Sequence, residues 1–205
     1  MKILVIDRST ETQSAAVIKE GKIFSKVFAG LDSRAADWPV KVRDFLTSCE
    51  LGVSDLDQVV VGQGPGSFAG IRAALAFAQG LALPKNLPVT GLPSTLALTR
   101  DGARTAVVGD ARRERYWVVV YDGTRLVKDF TLVPKEGLCA AVPEHYAVVT
   151  PDGARIEPLL KAIFAEHYKG SLTPLAGRLA EVVLAAPELC KPDPLPIYLQ
   201  PAVRP

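Results

Sequence analysis

Ile3-Leu4-Val5-Ile6-Asp7-Arg8-Ser9-Thr10-Glu11-Thr12 is the stretch that decides the fold, together with the alternating Ser14 to Ile18 and the Glu20-Gly21-Lys22 turn ahead of Ile23-Phe24. The uninterrupted apolar run reads as a strand buried on both faces. The alternation after the first turn reads as a strand nearer an edge, so three antiparallel strands open the chain. The same pattern returns later. Ala106-Val107-Val108-Gly109-Asp110 again ends in an aspartate, Tyr116 to Tyr121 supplies a second strand, and Asp122-Gly123-Thr124 turns into a third, Leu126 to Phe130. Asp7 and Asp110 are 103 positions apart and the turn glycines Gly21 and Gly123 are 102 apart. Spacing alone leaves two readings open: hairpins aligned by chance, or a duplicated βββαβα unit.

The stretches between the hairpins fit the second reading. Ser33 is placed to cap a helix carrying Trp38, Val42, Phe45 and Leu46, with Pro39 in its first turn. The strand Gln58–Gly62 leads into Gly64-Pro65-Gly66-Ser67-Phe68-Ala69-Gly70 and then a helix from about Ile71 to Leu83. A short strand at Pro88–Gly91 and a helix from Ser94 to Arg100 follow. After the second hairpin come a strand at Tyr146–Val149, helices over Ile156–Tyr168 and Leu175–Ala185, and a stiff segment with Pro192, Pro194 and Pro196. Duplication of βββαβα lobes is the ground plan of α/β proteins with the actin-like ATPase (ribonuclease H-like) fold, which place nucleotide phosphates between the halves. On this reading the lobes are 1–102 and 103–205, divided at Arg100-Asp101-Gly102, with the last segment packing back on the first lobe.

With 205 residues, 48% of them hydrophobic and 22% charged, the chain has enough apolar surface for a substantial core, which excludes a disordered protein. Lys and Arg number 24 against 22 Asp and Glu, so there is no broad positive field of the kind that drives nucleic-acid or membrane-surface binding. Cys49, Cys139 and Cys190 are far apart and show no zinc-ligand spacing, which fits a reduced interior. Asp7 and Arg8 interrupt the first apolar run too early for a signal peptide, and no span is long enough for a membrane, so a cytoplasmic protein is expected. His145 and His167 are 22 residues apart and outside any HxxxH helix. Neither a metal centre nor a Ser/His/Asp arrangement is expected from them.

A strand, a glycine-rich loop and a helix in succession can cradle an anion with free backbone N–H groups. Here Ile71 and Arg72 stand where a P-loop needs its lysine, and no acidic residue ends the next strand to hold a ribose. Gly64, Pro65, Gly66, Ser67 and Gly70 are therefore read as a structural loop, with Ser67 as N-cap. Asp7, Ser9 and Thr10, with Asp110 in the second hairpin, are the candidate nucleotide or phosphate ligands; no cofactor is required, and ATP or ADP with magnesium is the one that these residues could hold. Turn chemistry, the side chains bonding local backbone, is the alternative. Arg112, Arg113 and Arg115 can likewise touch phosphate or form a solvated turn. The helix from Ile71 to Leu83 is apolar nearly all round, as a central core helix or one between a core and a partner would be.

Gly64-Pro-Gly-Ser-Phe-Ala-Gly-Ile-Arg72 resembles the GPGSFTGVR block of the TsaB (YeaZ) family, the non-catalytic paralogues of TsaD/Kae1 in tRNA threonylcarbamoyladenosine biosynthesis. Ile6-Asp7-Arg8-Ser9-Thr10-Glu11, Gly91-Leu92-Pro93-Ser94, Asp110-Ala111-Arg112-Arg113-Glu114 and Pro196-Ile197-Tyr198-Leu199 are similar to further blocks, in order. The resemblance implies a scaffold, not an enzyme: homodimeric alone, heterodimeric with a TsaD-like subunit that does the chemistry, and joined by a TsaE-like ATPase, with tRNA met indirectly. It places the partner interface on the helices around the glycine loop, for which Trp38, Phe45, Phe68, Ile71, Arg72, Leu75 and Gln79 are the candidates. A charge at Leu75 is then expected to disrupt dimerisation while leaving the lobes folded. The alternative is an ATP-dependent small-molecule kinase or ATPase of actin-like fold; the family's historical glycoprotease (M22) label finds no support in two isolated histidines. The sequence departs from the family where its His-Ser-Gln triplet is expected, at Ser33, Arg34 and Ala35, and at Arg8 and Gln200.

Overall fold

β1 (Lys2–Asp7), β2 (Gln13–Lys19) and β3 (Lys22–Phe28) form an antiparallel meander, as the first apolar run and its alternation predict. The computed structural model describes residues 1–28 and 37–199. Within them the chain divides into two units, one made of Met1–Ala97 and Pro174–Ile197, the other containing Leu98–Thr173.

In the first unit β1 also pairs in parallel with β4 (Gln58–Gly62), and β4 in parallel with β5 (Val89–Leu92). A two-residue strand, Lys191–Pro192, pairs antiparallel with β5 and completes the order: that strand, then β5-β4-β1-β2-β3. β1 is central and buried from Ile3 onward, which explains why its sequence does not alternate. Alternate positions of the sheet divide the core. Leu4, Ile6, Ala15 and Val17 pack against α1 (Trp38–Ser48) and α2 (Phe68–Ala82), with Trp38, Phe45, Leu46, Ile71 and Leu75 in the same cluster. The opposite face, that of Ala16 and Ser25, meets α5 (Ala176–Ala185): a Cβ on Gly177 would sit 3.0 Å from that of Ser25, and Ser14 Oγ accepts a hydrogen bond from the Ala176 N–H at 2.8 Å.

The second unit repeats this order. β6 (Arg104–Asp110), β7 (Arg115–Asp122) and β8 (Arg125–Pro134) form the meander; α3 (Leu138–Ala141), β9 (Ala147–Thr150), α4 (Gly153–Phe164) and β10 (Tyr168–Ser171) follow. Its sheet runs β10-β9-β6-β7-β8, the counterpart strand for strand of β5-β4-β1-β2-β3. The duplicated α/β ground plan, and not a chance alignment of hairpins, is therefore the basis of the register between the halves. Ala106, Val108, Val118, Val120, Leu138, Ile156 and Leu160 make its core.

Several elements depart from the expected ones. Residues 174–197 group with the first unit, the side on which the last segment is expected, but the division between the units falls after Ala97 instead of at Gly102. Ser94–Leu98 is a 3-10 segment that stops short of Arg100. The helix expected over Ile156–Tyr168 begins at Gly153 and ends at Phe164, because Ala165 takes a positive φ of 41° and Tyr168 opens the edge strand β10. The expected cap Ser33, with Arg34, Ala35 and Gln200, lies outside the described residues. α1 itself starts at Trp38 with Pro39 in its first turn, where the missing N–H has no helical partner to lose. No helix among the described residues is long and apolar enough to cross a membrane.

Candidate functional site

The first hairpin and the glycine loop meet at Asp7, at the end of β1. Its carboxylate is fully buried. Oδ1 accepts hydrogen bonds from the Ser9 N–H at 2.9 Å and the Ser9 hydroxyl at 2.7 Å, while Oδ2 accepts one from the Ser94 hydroxyl at 2.5 Å. Ser94 Oγ accepts in turn from the Gly64 N–H at 2.9 Å, and the Ser94 N–H donates to the Gly64 carbonyl at 2.9 Å. A Cβ at Gly62 would stand 1.9 Å from Asp7 Oδ2, so the end of β4 has to be glycine for the carboxylate to fit. Burial pushes the Asp7 pKa up from the usual carboxylate value, and the hydrogen bonds from Ser94 and Ser9 oppose that shift.

The hairpin lies backbone to backbone against the start of α2. The Ser67 N–H donates to the Ser9 carbonyl at 2.7 Å. A Cβ on Gly66 would come within 2.0 Å of the Ser9 carbonyl oxygen, and one on Gly70 within 2.1 Å of the Arg8 carbonyl oxygen. These two glycines are therefore required by close approach. Ser67 caps α2 as expected, its Oγ accepting from the Gly70 N–H at 3.2 Å. Two of the N–H groups an anion would need at this helix start are thus committed to the chain itself. Thr10, half-buried, donates its hydroxyl to the Thr12 carbonyl at 3.1 Å. Asp7, Ser9 and Thr10 are brought together, but by turn and junction bonds, and the Asp7 and Ser9 side chains are buried. Arg8 lies over the Trp38 indole, 4.9 Å from the ring centroid, and its burial lowers the guanidinium pKa.

The corresponding junction of the second unit is built differently. Asp110 is partly buried; its Oδ1 accepts from the Arg112 N–H at 2.7 Å, and Oδ2 stands 3.6 Å from both the Arg112 and Arg155 side chains. The Asp110 N–H donates to Asp152 Oδ2 at 2.9 Å, and Asp152, ahead of α4, also binds Arg155. This hairpin is one residue tighter, with Asp110 paired to Tyr116 where Asp7 is paired to Ser14. Arg112, Arg113 and Glu114 all take positive φ, at 66°, 55° and 57°. Arg112, Arg113 and Arg115 are exposed as a solvated turn would have them, although Arg112 pairs with Asp110.

α2 has two faces, not one continuous apolar surface. Ile71, Ala74, Leu75, Ala78 and Ala82 face the core. Phe68, Ala69, Arg72, Ala76, Gln79 and Gly80 are exposed, and Leu83, just past the helix, is 79% exposed. The Arg72 guanidinium lies 5.0 Å above the Phe68 ring. Of the residues expected at a partner interface, Phe68, Arg72 and Gln79 share this outer face. Trp38, Phe45, Ile71 and Leu75 do not: they belong to the core of the first unit, because the phase of α2 and α1 turns them inward. A charge at Leu75 would unfold this core instead of reporting on association. Sequence reasoning missed Ala69, Ala76, Gly80 and Leu83, since a helix whose apolar residues fall on every face has no periodicity to show which face is outer. It also missed Ser94 as the partner of Asp7, though the Gly91-Leu92-Pro93-Ser94 block contains it.

Chemically, the first junction is a locked carboxylate network without a nucleophile–base pair. Among the described residues, no group of three or more His, Cys, Asp or Glu side chains could hold a metal ion. The histidines, however, are not isolated: the rings of His145 and His167 lie 6.2 Å apart between centroids.

Comparison with known proteins follows the same outline. Residues 37–169 match the family model described as TsaD, tRNA N6-adenosine threonylcarbamoyltransferase. The tRNA threonylcarbamoyladenosine biosynthesis protein TsaB of Escherichia coli is 35% identical over 125 residues, an alignment covering 57% of this chain and 54% of that protein, about half the length of the curated relative. An uncharacterized protein of Mycobacterium tuberculosis is 33% identical over 157 residues, 71% of this chain and 74% of the relative. Among solved structures, YeaZ from Pseudomonas aeruginosa superposes with a TM-score of 0.77 at 26% identity, covering 97% of this chain and 99% of that one.

Proposed function

The chain belongs to the TsaD family, in its TsaB/YeaZ branch, and on that premise we propose that it serves tRNA threonylcarbamoyladenosine biosynthesis as a scaffold that binds a catalytic TsaD-like subunit. The observation that carries this reading is the outer face of α2. Phe68, Ala69, Ala76, Gly80 and Leu83 leave an exposed helix surface of small and apolar residues, rimmed by Arg72 and Gln79. Small residues let a partner helix approach closely, and an exposed aromatic beside an arginine is the kind of anchor that contributes most to an interface. The outer face of α4, its counterpart in the second unit, carries Arg155 and an ion pair between Glu157 and Lys161 instead, as a solvated helix does.

The scaffold reading also rests on what Asp7 does. A buried carboxylate engaged by Ser9 and Ser94 supports a structural role over phosphate chemistry, and the role proposed here requires neither nucleotide nor metal on this subunit. In this reading the complex works in the cytoplasm, a TsaE-like ATPase joins it, and tRNA is contacted through the assembly.

The test is co-elution of the chain with the TsaD-like subunit of its own genome on gel filtration. A heterodimer is expected from the unmodified chain and none from Ala76→Glu, whose exposed position leaves the core intact. No complex with the unmodified chain would overturn the scaffold reading. A complex that survives Ala76→Glu would remove α2 from the interface, and a chain that only self-associates would assign the face to a second copy.

A further inference from the structure

His145 and His167 are the chain's two histidines, and they come from separate elements of the second unit. Parallel pairing of β10 with β9, Tyr168 opposite Val148, sets the beginnings of these strands side by side. His145 stands two residues before β9 and His167 immediately before β10, so both side chains leave the chain at the same end of the sheet, at its edge. His145 holds a φ of 65°, the left-handed turn conformation that histidine tolerates better than most residues. Both residues are exposed, their ring centroids are 6.2 Å apart and their planes meet at 65°.

That separation is within reach of shared coordination. With a Zn–N bond of about 2 Å and a ring nitrogen about 1 Å from its centroid, two imidazoles on one ion have centroids roughly 4–5 Å apart at right-angle or tetrahedral coordination, so the two rings have to close in by about 1 Å or slightly more. The terminal torsion of a histidine is broad, so an exposed ring turns its nitrogen toward the ion at little cost. We propose that His145 and His167 form a binding site for a divalent transition-metal ion of the imidazole-preferring class, Cu²⁺, Ni²⁺ or Zn²⁺, held by one nitrogen of each ring. Among the described residues no third protein ligand joins them, so water completes the shell. Affinity then follows the order in which Cu²⁺ exceeds Ni²⁺ and Zn²⁺. Glu144 and Glu166, the exposed chain neighbours, add negative charge that favours a cation. The bound ion ties the turn before β9 to the turn before the edge strand β10 and stabilises the second unit by mass action. This site is independent of the scaffold role.

The experiment is a titration of the tag-free chain with CuCl₂, read by calorimetry and electron paramagnetic resonance, in a Cys139→Ser background because that cysteine is exposed and competes for copper. His145→Asn keeps a residue suited to the left-handed turn, and His167→Gln keeps a polar exposed side chain; circular dichroism checks that both remain folded. One ion per chain is expected, with hyperfine coupling to two imidazole nitrogens in the reference chain and one in each single variant. Each single substitution should weaken binding by more than the about tenfold that loss of an outer partner costs. Saturating Ni²⁺ should raise the thermal midpoint of the reference chain and leave that of the double variant unchanged. A double variant that binds copper within about twofold of the reference chain, or a reference spectrum with one imidazole nitrogen or none, would overturn the proposal.

Discussion

The two units share one topology yet close their hairpins by opposite means. In the first, Asp7 is sealed in and takes three hydrogen bonds, Gly62 leaves room for its carboxylate, and Gly66 and Gly70 let the start of α2 approach the Ser9 and Arg8 carbonyls. In the second, Asp110 is partly open, shared between Arg112 and Arg155, and its tighter turn is made by three consecutive residues with positive φ. A duplicated ground plan therefore does not require duplicated chemistry. One junction is held by buried hydrogen bonds, the other by ion pairs near solvent and a strained backbone.

The largest expected effect separates the two aspartates. Asp7→Ala strands the Ser9 N–H, the Ser9 hydroxyl and the Ser94 hydroxyl in a buried site. At about 1–3 kcal/mol for each buried donor left without a partner, the loss is about 3 kcal/mol or more. Asp110→Ala removes ion pairs close to solvent and should cost about 1 kcal/mol. Urea unfolding of both variants checks the contrast, and equal midpoints would erase it.

A second outcome concerns pH. Because burial raises the Asp7 pKa above its unfolded value of about 3.9, its folded form retains a proton that the unfolded chain has already lost. The stability this confers is fully present below the unfolded value and disappears as pH rises through the folded one. The stability of the natural chain relative to Asp7→Asn, which carries no titrating group there, should therefore fall as pH rises above the ordinary carboxylate value toward the raised one of the folded chain. A difference that stays flat across this range, measured by urea unfolding, would mean that Asp7 titrates alike in both states.

The smallest effect has the opposite sign. Arg113→Gly relieves a left-handed residue in the second hairpin and should raise stability by up to about 1 kcal/mol, part of the gain being offset by the freer unfolded chain. Thr10→Gly in the first hairpin removes the hydroxyl bonded to the Thr12 carbonyl and should lower stability instead. Thermal midpoints of the two variants moving in the same direction would show that the hairpins are closed alike after all.

Much of this fold was legible in the residues. The run Ile3–Ile6 and its echo Ala106–Gly109 identified the central strands, because a strand covered on both faces must be apolar throughout. The glycine loop was equally readable as a structural turn, and Ser67 as its cap. The outer face of α2 was not, since apolar residues on all sides erase the period that would phase it. Tyr168, the first residue of β10, was read into the helix before it because it continues an apolar pattern with no turn residue to interrupt it, and the rest of the short strand has no apolar residue to mark it.

By itself, the amino-acid sequence determined the two matching hairpins, the buried strands and the glycine loop, all of which follow from local periodicity and the steric freedom of single residues. Only the tertiary structure decided which side of α2 is outer, that Ser94 answers Asp7 across 87 positions, that the final helix belongs to the first unit, and that His145 and His167 come together. Each of these depends on contacts between residues distant in the chain, and no local pattern records which distant surface a side chain will meet.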